Sequence, residues 1–316
     1  MKILVIGSGS VGLGLSAFLI KSSNSVTLFA QTQTKTSLIK NGFNVSGIFG
    51  DFKYLPNDFN VIDNYNDIDG DFDYILITAK TLANREIANN LNKIKNKIGN
   101  AKIVVIQNGW GNSEIYTEHF AEESVFTARI ITGFFRESPS TINITVHADT
   151  MFLGNIFKKE LSHKVKDLAE TFKKGGFDAE ISQDVSKHLW AKMLYNCALN
   201  PLGAILNVEY GKLAEMEHSK NLMNGIIDET YKAMSLENHS TFWKNDEYKE
   251  LFYEKLIPST YSHKSSMLQD LNNKRKTEID SLNGIVVEIG KKHNINLPNN
   301  NFIVNIIKSK EQLAII

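Results

Sequence analysis

Lys192, Asn196 and Asn200 recur every four residues in the run LWAKMLYNCALNP, Leu189 to Pro201. On a helix that spacing sets one amine and two carboxamides on a single side among apolar neighbours. A positioned ammonium can stabilise an oxygen on which negative charge develops and then protonate it, while carboxamides can donate to or accept from a polar substrate. Lysine is rarely fully buried, and asparagine prefers caps and turns to helix interiors. A polar ligand facing the stripe would account for both residue types; a solvated helix face would do so equally well.

A second group stands at the start of the chain. Gly7, Gly9 and Gly12 follow the apolar run Lys2 to Ile6 at GxGxxG spacing, with Ser8, Ser10 and Val11 between them. Val11 to Ile20 then reads as a helix and Val26 to Ala30 as a second strand. In a strand-turn-helix of this kind one glycine makes the tight turn, one lets backbone N–H groups reach a pyrophosphate, and one allows the helix to pack closely on the strand. After the second strand come Gln31, Thr32, Gln33, Thr34 and Lys35, with no carboxylate to hold ribose hydroxyls. Amides, hydroxyls and one lysine, Gln31 included, suit a 2′-phosphate better, which favours NADP over NAD; a plain polar loop explains Thr34 and Lys35 as well.

The elements that must position these groups follow from the hydrophobic pattern. Further strands are expected at 73–78, 102–106, 125–135, 141–147 and 177–182, and helices at 85–98 and 162–174. The stretch 41–66, rich in Asn, Asp and Gly, is expected to be an irregular crossover or small hairpin. Lys80 and Asn108 each follow a strand, at the carboxyl edge where ligands of open α/β sheets bind; a strand-end lysine and an Asn-Gly turn are the ordinary alternatives. Beyond Gln183 the strand signals stop. The expected fold is therefore α/β: an N-terminal Rossmann-type dinucleotide-binding domain, residues 1–184, followed by an all-helical domain, 185–316. In the latter, Thr277 is expected to cap a helix from Glu278 to Lys292.

Length, composition and charge agree. A chain of 316 residues with 42% hydrophobic and 22% charged content suits two ordinary globular domains. Lys+Arg and Asp+Glu both number 35 and the sequence pI is about 7.1, so no net field recruits nucleic acid or an anionic membrane. The single cysteine, Cys197, excludes an intramolecular disulfide and a Cys-rich zinc cluster, and reads as packing within its helix. The chain opens on a strand-like run in place of a signal peptide, and no apolar run is long enough to span a bilayer, so a cytoplasmic protein is expected.

The chain resembles the ketopantoate reductase, or 2-dehydropantoate 2-reductase, family. The resemblance is carried by GSGSVG at 7–12, the strand-end Lys80, QNG around Asn108, LWAKMLYNCALNPLGAI, and SSMLQDLNNKRKTEIDSLNG from Ser265 to Gly284. It implies a reductase that takes hydride from NADPH and converts 2-dehydropantoate to (R)-pantoate on the way to coenzyme A. Within it, Lys192 matches the lysine that protonates the ketone oxygen, Glu278 the acidic residue that works beside it, Asn196 and Asn200 the substrate-holding amides, and Ser266 the serine on the substrate carboxylate. Asn108 matches a residue shared between cofactor and substrate, and Lys80 a cofactor-side lysine. Two departures bear on the substrate: Tyr210 stands before Gly211 where the family carries Asn, and Ala128-Arg129 where it tends to small hydroxyl residues. Arg129 could clamp a carboxylate or serve as a structural ion-pair partner. The same mechanism on another 2-oxo acid is the alternative, and a non-catalytic dinucleotide-binding regulator a further one. The long C-terminal helix could pair two subunits in a homodimer.

Overall fold

The computed structural model describes residues 1–157 and 163–315. The chain divides into two compact units, one comprising Met1–Gln107 and Asn112–Val185, the other Asn108–Gly111 and Ser186–Ile316.

The first unit runs β1 (Lys2–Ile6), α1 (Ser10–Lys21), β2 (Ser25–Phe29), α2 (Thr32–Asn41), β3 (Phe43–Gly47), β4 (Phe52–Tyr54), β5 (Asn60–Ile62), β6 (Tyr74–Ile77), α3 (Asn84–Lys93), β7 (Lys102–Val105), α4 (Glu114–Thr117), β8 (Val125–Ser138), β9 (Thr141–Gly154), α5 (His163–Gly175) and β10 (Ala179–Ile181). One ten-stranded sheet has the order β4-β3-β9-β8-β7-β6-β1-β2-β5, with β10 beside β9. β5, β2, β1, β6, β7 and β8 are parallel neighbours, so their carboxyl ends share one edge. β1 and β6 are almost wholly buried, which is why they read as unbroken apolar runs rather than alternating ones.

Beyond β8 the sheet is mixed, β9 running antiparallel to β8 and parallel to β3 and β10. β8 and β9 form a hairpin of 14 residues per strand, with several shifts of register that sharpen its twist. α1 packs against β1, β2, β3, β8, β9 and α5, so Gly12 through Leu19 are all buried. This accounts for a helix, SVGLGLSAFLIK, that carries no charge before Lys21. Phe18 is its anchor, with the rings of Phe49, Phe52 and Phe177 at 5.2, 5.4 and 4.9 Å.

The 41–66 stretch does contain a hairpin, β3 with β4, but it is more than a crossover. β3 also joins β9 in parallel, Val45 opposite Ile142, and β5 joins β2, so the two pieces extend opposite ends of the sheet. The helix expected from Ser162 is described from His163 onward, Ser162 lying outside the described residues.

The second unit is helical: α6 (Val185–Leu206), α7 (Tyr210–Glu215), α8 (Glu217–Leu236), α9 (Asn245–Leu251) running through a π-helical stretch Phe252–Leu256 into α10 (Ile257–Ser259), α11 (Ser266–Asn272), α12 (Asn283–Lys292) and α13 (Pro298–Ile315). Among the described residues no helix is long and apolar enough to cross a membrane. The expected single helix from Glu278 to Lys292 is corrected: a 3-10 turn, Ile279–Ser281, precedes α12. Thr277 is not the expected N-cap, since Glu278 precedes the 3-10 turn and Leu282 precedes α12; its hydroxyl accepts from the Ile279 N–H at 3.2 Å, and Glu311 of α13 takes both its N–H and its hydroxyl at 2.6 Å and holds the segment at that turn.

α6 does not stop at Pro201 but runs on to Leu206. Proline has no N–H for the carbonyl four residues earlier, here that of Cys197. Asn283 of α12 supplies the missing donor, its Nδ2 meeting the Cys197 carbonyl at 3.0 Å and Oδ1 of Asn300 at 2.9 Å. Asn300 in turn donates from Nδ2 to Glu229 of α8 at 2.9 Å, and that carboxylate also accepts the Asn299 and Asn300 backbone N–H groups at the start of α13, at 2.9 and 2.8 Å. Asn283 and Asn300 are fully buried. N283A is expected to cost roughly 2–4 kcal/mol in urea unfolding, since it leaves a buried carbonyl and a buried amide without their donor. Adding Pro201→Ala restores an N–H for Cys197, so the double variant is expected to recover about 1 kcal/mol of that loss. Strict additivity of the two changes would contradict the assignment.

Candidate active site

The glycine loop of the first unit is built as a cradle. Gly7 has φ +114°, and a Cβ there would lie 2.3 Å from the Ala79 backbone nitrogen. A Cβ on Gly12 would lie 2.0 Å from the Gly7 carbonyl oxygen, which accepts the Thr78 hydroxyl at 2.7 Å. Ser8 donates to the Phe29 carbonyl at 3.0 Å and ties the loop to the end of β2. Gly9, at the N-cap of α1, differs: a Cβ there meets nothing within 4 Å. Open space lies over the first turn of a helix whose N–H groups point outward, with no acidic residue in that turn and with Ser10 and Val11 half-buried beside it. These features fit a dinucleotide pyrophosphate.

The neighbouring loops carry the other expected cofactor residues. Lys80 is exposed and directly follows Ala79, whose backbone abuts Gly7. Gln31 is exposed at the N-cap of α2. Lys35 pairs with Asp63 at 2.6 Å. That carboxylate corrects the reading that none stands near the end of β2: β5 lies parallel to β2 with Ile62 opposite Phe29, so the next residue, Asp63, comes alongside. Arg136 likewise arrives from β8, donating to the Thr34 hydroxyl at 3.0 Å. Behind the loops Gln107 donates to the Ala79 carbonyl at 2.6 Å and exchanges hydrogen bonds with Asn84, which also binds Asn112 at 3.1 Å. Arg129 takes the structural alternative, pairing with Asp149 at 2.6 Å and stacking on Phe152.

The second unit holds the amine and amides. On α6 Lys192 is half-buried, Asn196 7% exposed and Asn200 4% exposed, so the stripe sinks inward along the helix. Among the described residues no group hydrogen-bonds the Asn196 carboxamide, and its polar atoms are not among the fully buried ones left without a partner. Asn200 Oδ1 accepts from the Tyr210 hydroxyl at 2.5 Å. Ser265 caps α11, accepting from the Leu268 N–H and donating to the Asn200 backbone carbonyl at 3.1 Å; Ser266, beside it, is exposed. Tyr195 bonds Thr260 at 2.6 Å, and burial pushes its phenol up to about 12. Cys197 is fully buried, its thiol raised by burial, which suits packing and not nucleophilic chemistry.

Asn108 belongs to this unit too. Its Nδ2 donates to Glu278 Oε2 at 3.1 Å, and the Trp110 N–H donates to the Ser281 carbonyl at 3.0 Å. The Trp110 ring lies 4.8 Å from Trp190 and 4.6 Å from His239. Trp190 is two residues before Lys192, so one short segment links the Asn108–Glu278 pair to the start of the amine-amide stripe. A Cβ on Gly109, at φ +99°, would lie 2.3 Å from the Ser281 carbonyl. Trp110 carried no role in the sequence reading; an indole between two glycines after a buried strand was the available signal. Among the described residues no cluster of His, Cys, Asp or Glu could hold a metal ion.

Residues 3–156 match the family described as ketopantoate reductase PanE/ApbA, and residues 184–311 match ketopantoate reductase PanE/ApbA C terminal. The 2-dehydropantoate 2-reductase of Aquifex aeolicus (strain VF5) is 39% identical over 313 residues, 98% of this chain and 97% of that one. The chain belongs to the ketopantoate reductase family. It is thus an oxidoreductase, with a Rossmann-type unit and a helical unit. Similar solved structures include D-mandelate dehydrogenase with NADH and anilino(oxo)acetate, at TM-score 0.89, 21% identity and full coverage of both chains. A PanE/ApbA family ketopantoate reductase from Ralstonia eutropha JMP134 matches at TM-score 0.87 and 22% identity, also over both whole chains. These two share the fold.

Two glycine variants separate cradle from scaffold. Gly9→Ala adds a methyl group in open space, so its melting temperature is expected to stay within about 2 °C of the parent while dinucleotide affinity falls at least about tenfold. Gly12→Ala is expected to lose both affinity and stability, because its methyl meets backbone. Fluorescence titration with reduced dinucleotide and thermal melts read the contrast; a Gly9→Ala protein that binds like the parent would contradict it.

Proposed function

We propose that this enzyme reduces 2-dehydropantoate to (R)-pantoate with NADPH, and that Lys192 is the proton donor. The observation that carries the reading is the half-buried Lys192 on a helix face shared with two buried carboxamides, in a chain 39% identical to a 2-dehydropantoate 2-reductase. Residues 1–184 hold the dinucleotide in this reading, with Gly7, Ser8, Gly9, Ser10, Val11 and Gly12 around the pyrophosphate and Lys80 and Gln31 on its flanks. Residues 185–316 carry the acid and the substrate amides.

Reduced nicotinamide, when bound, supplies the hydride. As hydride adds to C2 of the oxo acid, the carbonyl electron pair moves onto oxygen, where the Lys192 ammonium stabilises the charge and passes over one proton. The acidic residue given the role of working beside the lysine is Glu278. Asn108, hydrogen-bonded to Glu278, orients that carboxylate and reaches the reacting groups. Asn196 and Asn200 hold the substrate, and Ser266 its carboxylate. NADP is preferred over NAD because the first turn of α2 offers hydroxyls and no acid, with Arg136 on Thr34; Asp63 is neutralised by Lys35. One observation favours a second reading, in which the same chemistry serves another 2-oxo acid: Tyr210 fills the place of the family's substrate-contacting Asn and binds Asn200.

NADPH consumption measured across a panel of 2-oxo acids is expected to peak with 2-dehydropantoate, and K192A to lower kcat on the order of 10²–10⁴-fold. Activity confined to another oxo acid would select the second reading. An alanine variant with undiminished turnover would remove Lys192 from the mechanism.

A further inference from the structure

Tyr210 opens α7 with its phenol buried, 2% exposed, and its position is over-determined. Its backbone N–H donates to the His263 carbonyl at 3.0 Å, and the next N–H, on Gly211, donates to the Tyr261 carbonyl at 2.9 Å. The ring packs edge-on to Tyr195 at 5.7 Å and against the His263 ring at 5.1 Å. The phenol cannot swing away without breaking this packing, and burial keeps it protonated far above its ordinary range. It therefore acts as a fixed donor. Its acceptor is Oδ1 of Asn200, 4% exposed and the last polar member of the α6 stripe.

A carboxamide is planar, with an accepting arm and a donating arm. With Oδ1 engaged by the phenol, the NH2 arm of Asn200 points away from Tyr210, and among the described residues nothing accepts from it. We infer that Tyr210 is a positioning residue that locks Asn200 as a hydrogen-bond donor, so that the substrate atom recognised there must be an acceptor oxygen: carboxylate, carbonyl or the lone pair of a hydroxyl. This rests on the reading of the α6 face as a 2-oxo acid site. It assigns the departure from the family's Asn a consequence for selectivity: Asn200 discriminates against substrates that bring a group able only to donate, because two donors would face each other without a partner.

Two variants test it by steady-state kinetics beside the active parent. Y210F keeps the ring and its packing but frees Oδ1; the KM for 2-dehydropantoate is expected to rise about tenfold while kcat and the KM for NADPH change less than about twofold. N200D keeps an oxygen for the phenol and replaces the NH2 arm with a second oxygen; the KM is expected to rise at least about 100-fold. A phenylalanine variant with parental KM, or an N200D enzyme that binds the oxo acid as the parent does, would overturn the assignment. So would a Y210F enzyme whose kcat falls at unchanged KM, since that is the mark of lost folded protein. A parent that turns over no 2-oxo acid would overturn the proposed function and this assignment together, whereas the other failures leave the proposed function standing.

Discussion

The amine-amide face of α6 depends on one hydrogen bond made away from that face, the one from Asn283 to the Cys197 carbonyl. α6 must stay helical from Lys192 to Asn200 if an amine and two carboxamides are to share a side, yet Pro201 sits directly after the last of them. A proline inside a helix leaves one carbonyl without its donor and usually ends or kinks the helix there. Here a side chain from α12 takes that carbonyl, and α6 continues for another turn. The donor is itself held by Asn300, and Asn300 by the Glu229 carboxylate that also caps α13. A buried polar chain of this kind, complete but for the unpartnered Asn283 Oδ1, rigidifies what it touches, and its partial loss is costly because each orphaned group is desolvated. Four helices are thus fixed to one another at the level of the amide stripe.

The glycine loop after β1 obeys a different constraint, that of space. Gly7 and Gly12 are glycine because backbone occupies the volume a Cβ would need, whereas Gly9 is glycine with room to spare. The first two build the loop and the third leaves it open. Between loop and stripe in the sequence lies the segment Asn108–Gly111, which joins the helical unit through Trp110 while its flanking amides, Gln107 and Asn112, bond within the sheet unit.

Local signals were legible in the sequence and distant pairings were not. The strand, turn and helix around GSGSVG could be read because all of their determinants fall within about 20 residues, and the helical character of the chain after Gln183 could be read from periodicity. The β3–β4 hairpin was within reach, but the pairings of β3 with β9 and of β5 with β2 escaped, because a three- to five-residue strand is placed in a sheet only by its partner and the partner of β3 lies far downstream. Asp63 and Arg136 escaped for the same reason: each reaches the start of α2 from another strand. The break before α12 escaped because Glu311, which holds Thr277, belongs to the last helix. Of the candidate site, residue types and the four-residue spacing were visible at once. The partners that orient them, Tyr210 on Asn200 and Glu278 on Asn108, required the fold.

The central claim is that Lys192 delivers the proton and that the carboxamides of α6 hold the oxo acid. A crystal structure of the enzyme with NADP and pantoate tests it most directly. The account predicts the Lys192 Nζ within hydrogen-bond reach, about 2.6–3.2 Å, of the C2 hydroxyl oxygen, with Asn200 Nδ2 donating to an oxygen of the ligand. Pantoate bound in its site with the lysine amine turned away from that hydroxyl, or with Asn200 untouched, would contradict it.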